Sequence, residues 1–322
     1  MTELRIGILG AARIAPAALI RPARLVPGVT VAAVAARDPA RGAAFARRHG
    51  IPTVHPGYAE LVDDPGLDAV YVPLPNGLHA EWTLAALDAG KHVLCEKPLT
   101  SNADQARRIA AATGANVVME AFHYRYHPLM RRALELVPRL GELRHVETSM
   151  CFPLPRFSDI RYDLRLAGGA SMDAGCYAVH ALRTLSGQEP AVVAARALLA
   201  KPGVDRAMVV DYAFPGGATG RTTASLWSRH VLRLSARVTG ANGTLKLSNY
   251  LMPSVYHRLT VTIDGRTRRE RVPGEATYTH QLRAFADAVL RGGPNLTPPG
   301  DAVRTMELID AAYRAAGLDP RT

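Results

Sequence analysis

Between residue 4 and about residue 120 the sequence alternates short apolar runs with helical patterns, and that alternation leaves few folds open. The runs read as strands at Arg5–Leu9, Val29–Ala35, Thr53–Val54, Ala69–Val72, His92–Cys95 and Val117–Met119. Helical segments lie between them, near 14–26, 39–49, 57–63, 77–90 and 102–113. Strands that are apolar on both faces need cover on both faces, and the intervening helices provide it. Six strands at this spacing predict a doubly wound parallel sheet, which binds ligands at the carboxyl ends of its strands.

After Met119 the pattern changes. A helix near 126–137 is followed by a long strand, Leu143–Cys151, and a helix near 170–186. Strand-like runs then come in succession at Val192–Leu199, Met208–Phe214, Thr222–Trp227, Leu232–Val238, Gly243–Leu247 and Leu259–Ile263, separated by Gly, Pro and Asn. Strands joined directly by turns pair antiparallel. Helices near 277–291 and 300–316 complete the pattern. At 322 residues two domains are expected. The predicted fold class is α/β, with an N-terminal Rossmann sheet over 1–121. Residues 122–322 would form an α+β domain with an open, mostly antiparallel sheet, the C-terminal helix packing back toward the first domain.

Apolar residues make up 48% and charged residues 21%, an ordinary folded composition. The formal charge of +11 suits nucleic acid, an anionic membrane or a phosphorylated ligand. The arginine doublets 47–48, 107–108, 131–132 and 268–269 are scattered, and none adjoins aromatic residues that would stack bases. Most of the charge therefore reads as solvated surface, with no nucleic-acid partner. Cys95, Cys151 and Cys176 are too few and dispersed for a disulfide framework or zinc cluster, so no metal is expected. No apolar run of about 18 residues predicts a membrane span, and a cytoplasmic protein is expected. Only Lys91, Lys97, Lys201 and Lys246 are lysines, against 35 arginines. Arg cannot give up its proton, so a lysine in this chain marks chemistry that Arg cannot perform.

Four stretches carry that chemistry. The first strand runs into Gly10-Ala11-Ala12-Arg13-Ile14-Ala15, with small residues at 10, 12 and 15 where G-x-G-x-x-G/A belongs. It is a nucleotide loop or a plain tight strand–helix turn, and the parallel-sheet context favours the first. The second strand ends Ala36-Arg37-Asp38. An acidic tip would bind the ribose hydroxyls of NAD; here Arg37 suits a 2′-phosphate and Asp38 suits a helix cap. NADP(H) is therefore expected over NAD(H). Lys97 stands at the carboxyl end of the fifth strand, in Glu96-Lys97-Pro98. Asp173, Tyr177 and His180 follow the Gly168–Gly169 pair at i, i+4 and i+7 and share a helix face, as a functional stripe or a solvated one.

The combination resembles the Gfo/Idh/MocA oxidoreductase family over essentially the whole chain. The likeness rests on the glycine loop, Glu96-Lys97-Pro98, residues 119–125, the Gly168–His180 block and the two closing helices. Tyr177 is similar to the branch that holds glucose–fructose oxidoreductase, dimeric dihydrodiol dehydrogenase, xylose dehydrogenases and sugar 3-ketoreductases, which largely uses NADP. The resemblance implies that Pro73, Leu74, Asn76 and His79 line the cofactor beside Gly10, Ala12, Arg13 and Ile14. It implies that Glu96 and Lys97 reach the nicotinamide ribose, and that Glu120, His123 and Arg125 border the nicotinamide end or the substrate pocket, with His180 at the substrate. It also implies a homo-oligomer, a dimer or dimer of dimers, formed through the C-terminal sheet, with Trp227 and apolar neighbours on the exposed face.

The implied activity is a dehydrogenase or reductase acting on CH–OH groups of a sugar or sugar-like polyol. Tyr177 would move the proton at the substrate oxygen, aided by the Lys97 ammonium, with Asp173 orienting hydroxyls or holding Lys97 in place. The alternatives are a trans-dihydrodiol dehydrogenase and a non-catalytic NADP(H)-binding regulator.

Overall fold

The computed structural model describes residues 3–322, which form two compact units. The first comprises residues up to Thr100, Asp104–Tyr126 and Tyr278–Val303; the second comprises Ser101–Ala103, His127–Thr277 and Arg304–Thr322. The first unit thus takes in a late stretch of chain, 278–303, beyond the 1–121 expected from the sequence. Among the described residues no helix is long and apolar enough to cross a membrane.

In the first unit, β1 (Leu4–Leu9), β2 (Val29–Ala35), β3 (Thr53–His55), β4 (Ala69–Val72), β5 (His92–Cys95) and β6 (Val118–Glu120) form one sheet in the order β3-β2-β1-β4-β5-β6. Every pairing is parallel. The period of two explains why its strands are continuous apolar runs. Tyr71, Leu94 and Met119 enter one core with Leu19, Leu282 and Phe285, whereas Val70, Val72, Val93 and Val118 enter the other with Leu61, Leu87 and Ile109. The helix Thr277–Arg291 therefore completes one of the two helical layers. The helix expected near 14–26 is shorter, a π-helical turn over Pro16–Ile20 and one α-turn over Arg21–Ala23.

In the second unit, β7 (Leu143–Cys151), β8 (Ala191–Lys201), β9 (Val204–Ala213), β10 (Thr219–Ser225), β11 (Arg233–Gly240), β12 (Gly243–Ser248), β13 (Arg258–Ile263) and β14 (Arg266–Glu270) form a mixed sheet in the order β14-β13-β12-β11-β7-β10-β9-β8. All neighbours run antiparallel except β7 and β10. The helix Cys176–Ser186 lies on one face, where Thr148 Oγ1 donates to its Ala178 carbonyl at 2.7 Å. β14 was not expected, because Arg-Thr-Arg-Arg-Glu reads as a charged loop. It is the return strand of a hairpin turned by Asp264–Gly265, both at positive φ. Its charges suit an edge that should not recruit further strands.

The expected apolar outer face needs correcting. Away from the helix the sheet carries ion pairs, Arg221–Asp211 at 2.6 Å and Arg233–Glu147 at 2.9 Å. Trp227 lies beyond the end of β10, 40% exposed, with its carbonyl accepting from Arg206. Within the strands of this sheet the exposed aliphatics sit on the β8 edge, at Val193, Leu198 and Leu199, while Val231 and Leu232 stand exposed in the loop after Trp227.

Candidate active site

At the end of β1 the chain turns through Gly10 at φ +97°, and the Gly10 N–H donates to Ala35 O at 2.7 Å. A side chain there would press on Leu74, with its Cβ 3.1 Å from Leu74 Cδ2. Ala11 and Ala12 are half-exposed, Arg13 and Ile14 exposed, and Ala15 is buried. This open, backbone-lined turn meets what a pyrophosphate needs, and Ala12 is small enough to keep it so.

At the tip of β2 Asp38 has a structural partner. The Asp38 carboxylate accepts from the N–H groups of Ala40 at 2.9 Å and Arg41 at 3.3 Å, capping the helix Pro39–His49. Arg37 stands exposed beside the buried Ala36. The tip therefore offers a guanidinium, while its carboxylate is occupied by the cap.

After β4, Pro73 is buried and Leu74 and Asn76 are half-buried. His79 is fully buried, with Nδ1 2.7 Å from Pro98 O and Nε2 2.7 Å from Leu74 O. It ties the β4 loop to the loop after β5. Burial pulls its pKa down to about 4, against the opposing pull of the two carbonyls.

The end of β5 presents Glu96 and Lys97, and the Lys97–Pro98 bond is cis. Glu96 is nearly buried and accepts from Tyr71 Oη at 2.7 Å. Burial, reinforced by that carboxylate, holds the Tyr71 phenol well above its ordinary range, so Tyr71 stays a donor. At the end of β6, Glu120 is buried and its Oε1 accepts from Leu99 N at 2.8 Å, which braces the turn after Lys97. Arg125 is half-buried.

His123 is buried, its ring 4.1 Å from that of Tyr278. Burial, and then the Lys97 charge, lowers its pKa to about 3. The folded protein therefore takes up this proton far later than the unfolded chain, whose histidine titrates near 6.5. Above that value the group contributes no pH dependence. As pH falls from about 6.5 toward 3 it subtracts up to about 1.4 kcal/mol of stability per pH unit. His123→Phe should flatten the fall of the unfolding midpoint across that window. Equal slopes for parent and variant, measured by calorimetry, would contradict this.

In the second unit, Gly168–Gly169 leads into a π-helical turn, Ser171–Gly175, which continues as the helix Cys176–Ser186. The sequence had suggested one uninterrupted helix; such π-turns recur at functional sites. Tyr177 is 6% exposed and His180 2%, so the stripe is not a solvated face. Arg161, half-exposed, donates through Nε to Asp173 Oδ2 at 2.9 Å and pairs with Asp159 at 3.2 Å. The Asp173 charge, then Asp159, raises the Arg161 pKa further. Asp173 is thereby held with one edge against a guanidinium. Arg161 was missed in the sequence, since one arginine among 35 carries no signal. Tyr71 and Tyr278 reach the Glu96 and His123 surroundings from strands and helices remote in sequence, and no local pattern marks them.

Residues 4–122 match the oxidoreductase family with an NAD-binding Rossmann fold, and residues 130–246 match the Gfo/Idh/MocA C-terminal domain. The chain is 40% identical over 314 residues, 96% of each chain, to the NADP(+)-dependent D-xylose 1-dehydrogenase 2 of Haloferax volcanii. Among solved structures it is similar to an aldose–aldose oxidoreductase from Caulobacter crescentus, with TM-score 0.89 and 26% identity over 98% of both chains. A 3-ketoreductase from Actinomadura kijaniata, in complex with NADP and TDP-benzene, superposes with TM-score 0.89 at 31% identity, covering 97% of this chain and 98% of that one. The same ketoreductase has been solved with a tyrosine changed to phenylalanine and with a lysine changed to alanine. With both of its parts matched and relatives covering its whole length, this chain is an oxidoreductase of the Gfo/Idh/MocA family.

Proposed function

We propose that the protein transfers hydride between NADP(H) and a carbinol or carbonyl carbon of a sugar or sugar-like polyol. One coincidence carries this reading: a whole-length likeness to an NADP-dependent sugar dehydrogenase, in a chain whose β2 tip offers Arg37 while Asp38 is occupied as a cap. The Gly10–Ile14 turn would hold the pyrophosphate, Arg37 the 2′-phosphate, and Glu96 with Lys97 the nicotinamide ribose. The nicotinamide, when bound, supplies or accepts the hydride at its C4.

The chain's own residues manage the proton and the substrate. The Tyr177 hydroxyl gives a proton to the carbonyl oxygen during reduction and takes it from the hydroxyl during oxidation. A lysine ammonium near a phenol favours its phenolate form, and that is the part this reading gives to Lys97. Asp173, locked by Arg161, accepts hydrogen bonds from neighbouring substrate hydroxyls.

The test is a screen of purified protein with NADP⁺ and NAD⁺ against aldopentoses, aldohexoses and trans-dihydrodiols. Activity on a sugar with NADP⁺ preferred supports the reading; activity on dihydrodiols alone overturns it. Arg37→Ala should weaken NADPH binding by about 1–3 kcal/mol, the size of a charge-assisted hydrogen bond, and leave NADH binding nearly unchanged. Equal losses for both cofactors by titration would remove Arg37 from the 2′-phosphate.

A further inference from the structure

The Gly168–Gly169 turn that launches the Asp173–Tyr177 segment is fastened from below by a buried polar cluster. At its centre is Asp205 of β9, fully buried. One carboxylate oxygen accepts from both the Ser171 N–H and the Ser171 hydroxyl, each at 2.7 Å. The other accepts from Tyr313 Oη at 3.0 Å and from Arg321 Nη2 at 2.9 Å. Arg321 is 3% exposed; its Nε donates to Gly168 O at 2.9 Å, and its guanidinium lies 4.0 Å from the centre of the Tyr313 ring. Its own carbonyl accepts from Asn102 Nδ2 at 2.8 Å. Arg321 lies beyond the last helix, Pro299–Ala315, so its placement here is not imposed by a neighbouring element.

Charge explains the arrangement. A carboxylate removed from water is tolerated only when paired and saturated with donors, and Asp205 has four. The guanidinium supplies the compensating charge and, by its planar fork, reaches the Gly168 carbonyl at the same time, which a lysine ammonium on a single point could not do. Asp205 sits near the start of β9, where it pairs with Leu199 of β8, so the fastened turn takes its position from the sheet.

We infer that Arg321 is a positioning residue: through Asp205 and Gly168 it sets where the Asp173–Tyr177 segment begins, and so where its functional side chains stand. The inference rests on the reading of Asp173 and Tyr177 under Proposed function, but it makes a separate physical claim about the turn. Misplacement of a reacting group by about 1 Å costs on the order of 10²-fold in rate, so loosening this turn should register in turnover before it registers in cofactor binding.

The experiment uses the full chain as Arg321→Lys, Arg321→Met and the double variant Asp205→Asn/Arg321→Met, beside Tyr177→Phe. Arg321→Lys keeps the buried charge, and the double variant leaves no charge unpaired, so folding is preserved if Arg321→Met alone fails. For Arg321→Lys, turnover should drop about tenfold or more, while the NADPH dissociation constant stays within about twofold. Amide hydrogen exchange over residues 168–176 should accelerate about tenfold, with β11 and β12 protected as in the parent. Unchanged exchange in that segment, or turnover within twofold of the parent, overturns the assignment to Arg321. If Tyr177→Phe retains the parent rate, the reading of Tyr177 falls, and the exchange rates still decide the role of Arg321.

Discussion

Tyr177→Phe is expected to lower turnover by about 10²–10⁴-fold while NADPH binds nearly as in the parent. The substitution removes one hydroxyl from a side chain that is 6% exposed in a helix packed on the sheet, so the ring has no reason to move. Tyr177 belongs to the second unit, and the proposed nucleotide turn to the first. Lys97→Arg keeps the charge but changes geometry and removes an exchangeable proton, so it should lose much of the rate; Lys97→Met should lose more. Steady-state rates with a sugar found by screening, together with NADPH titrations on all three variants, make the comparison. Turnover of Tyr177→Phe within threefold of the parent would reject the proton-transfer assignment. His123, held neutral with a pKa of about 3, is a poor replacement, which leaves His180 as the next candidate.

Gly169→Ala is expected to cost roughly 3–5 kcal/mol of stability, a large share of an ordinary margin. Two effects add. Gly169 adopts φ +136°, a conformation that costs an L-residue about 1–3 kcal/mol. A Cβ there would also overlap Asp205 Oδ1 and lie 2.9 Å from Tyr313 Oη and 3.0 Å from Arg321 Nη2. Relieving the overlap means parting a buried ion pair whose members then lack compensation. Gly187→Ala is the control, with φ +65° and open space around the new methyl; it should cost only about 1–2 kcal/mol. Equal losses for the two variants in denaturant unfolding would show that the overlap is absorbed.

Much of this could be read from residue order. The six parallel strands were legible because each is buried on both faces and bounded by helices, so period and length agree. The role of Asp38 was legible because capping is a local geometry. β14 was not, since its five residues carry four charges and its pairing is defined only by the Asp264–Gly265 turn before it. The outer sheet face was misjudged from Trp227, whose apolar bulk says nothing about whether its residue stays in the strand. Arg161 and Arg321 were invisible for a common reason: their meaning lies in partners 12 and 116 positions away, Asp173 and Asp205.

The late return of the chain to the first unit bears on how the protein is made. Leu282, Phe285 and Ala286 fill one side of the parallel sheet, in the same core as Ile6, Ile8 and Leu94. During synthesis β6 emerges long before them, roughly 10–30 s earlier at about 5–20 residues per second. Through that interval the part of this face covered by the late helix stays open on the ribosome, beside the patch already closed by Leu19, Ile20 and Ala46, an aggregation hazard that the late helix removes. The same dependence governs protein engineering: an excised fragment ending at Tyr126 would expose that core, and grafting this nucleotide unit onto another catalytic partner requires carrying residues 278–303 with it.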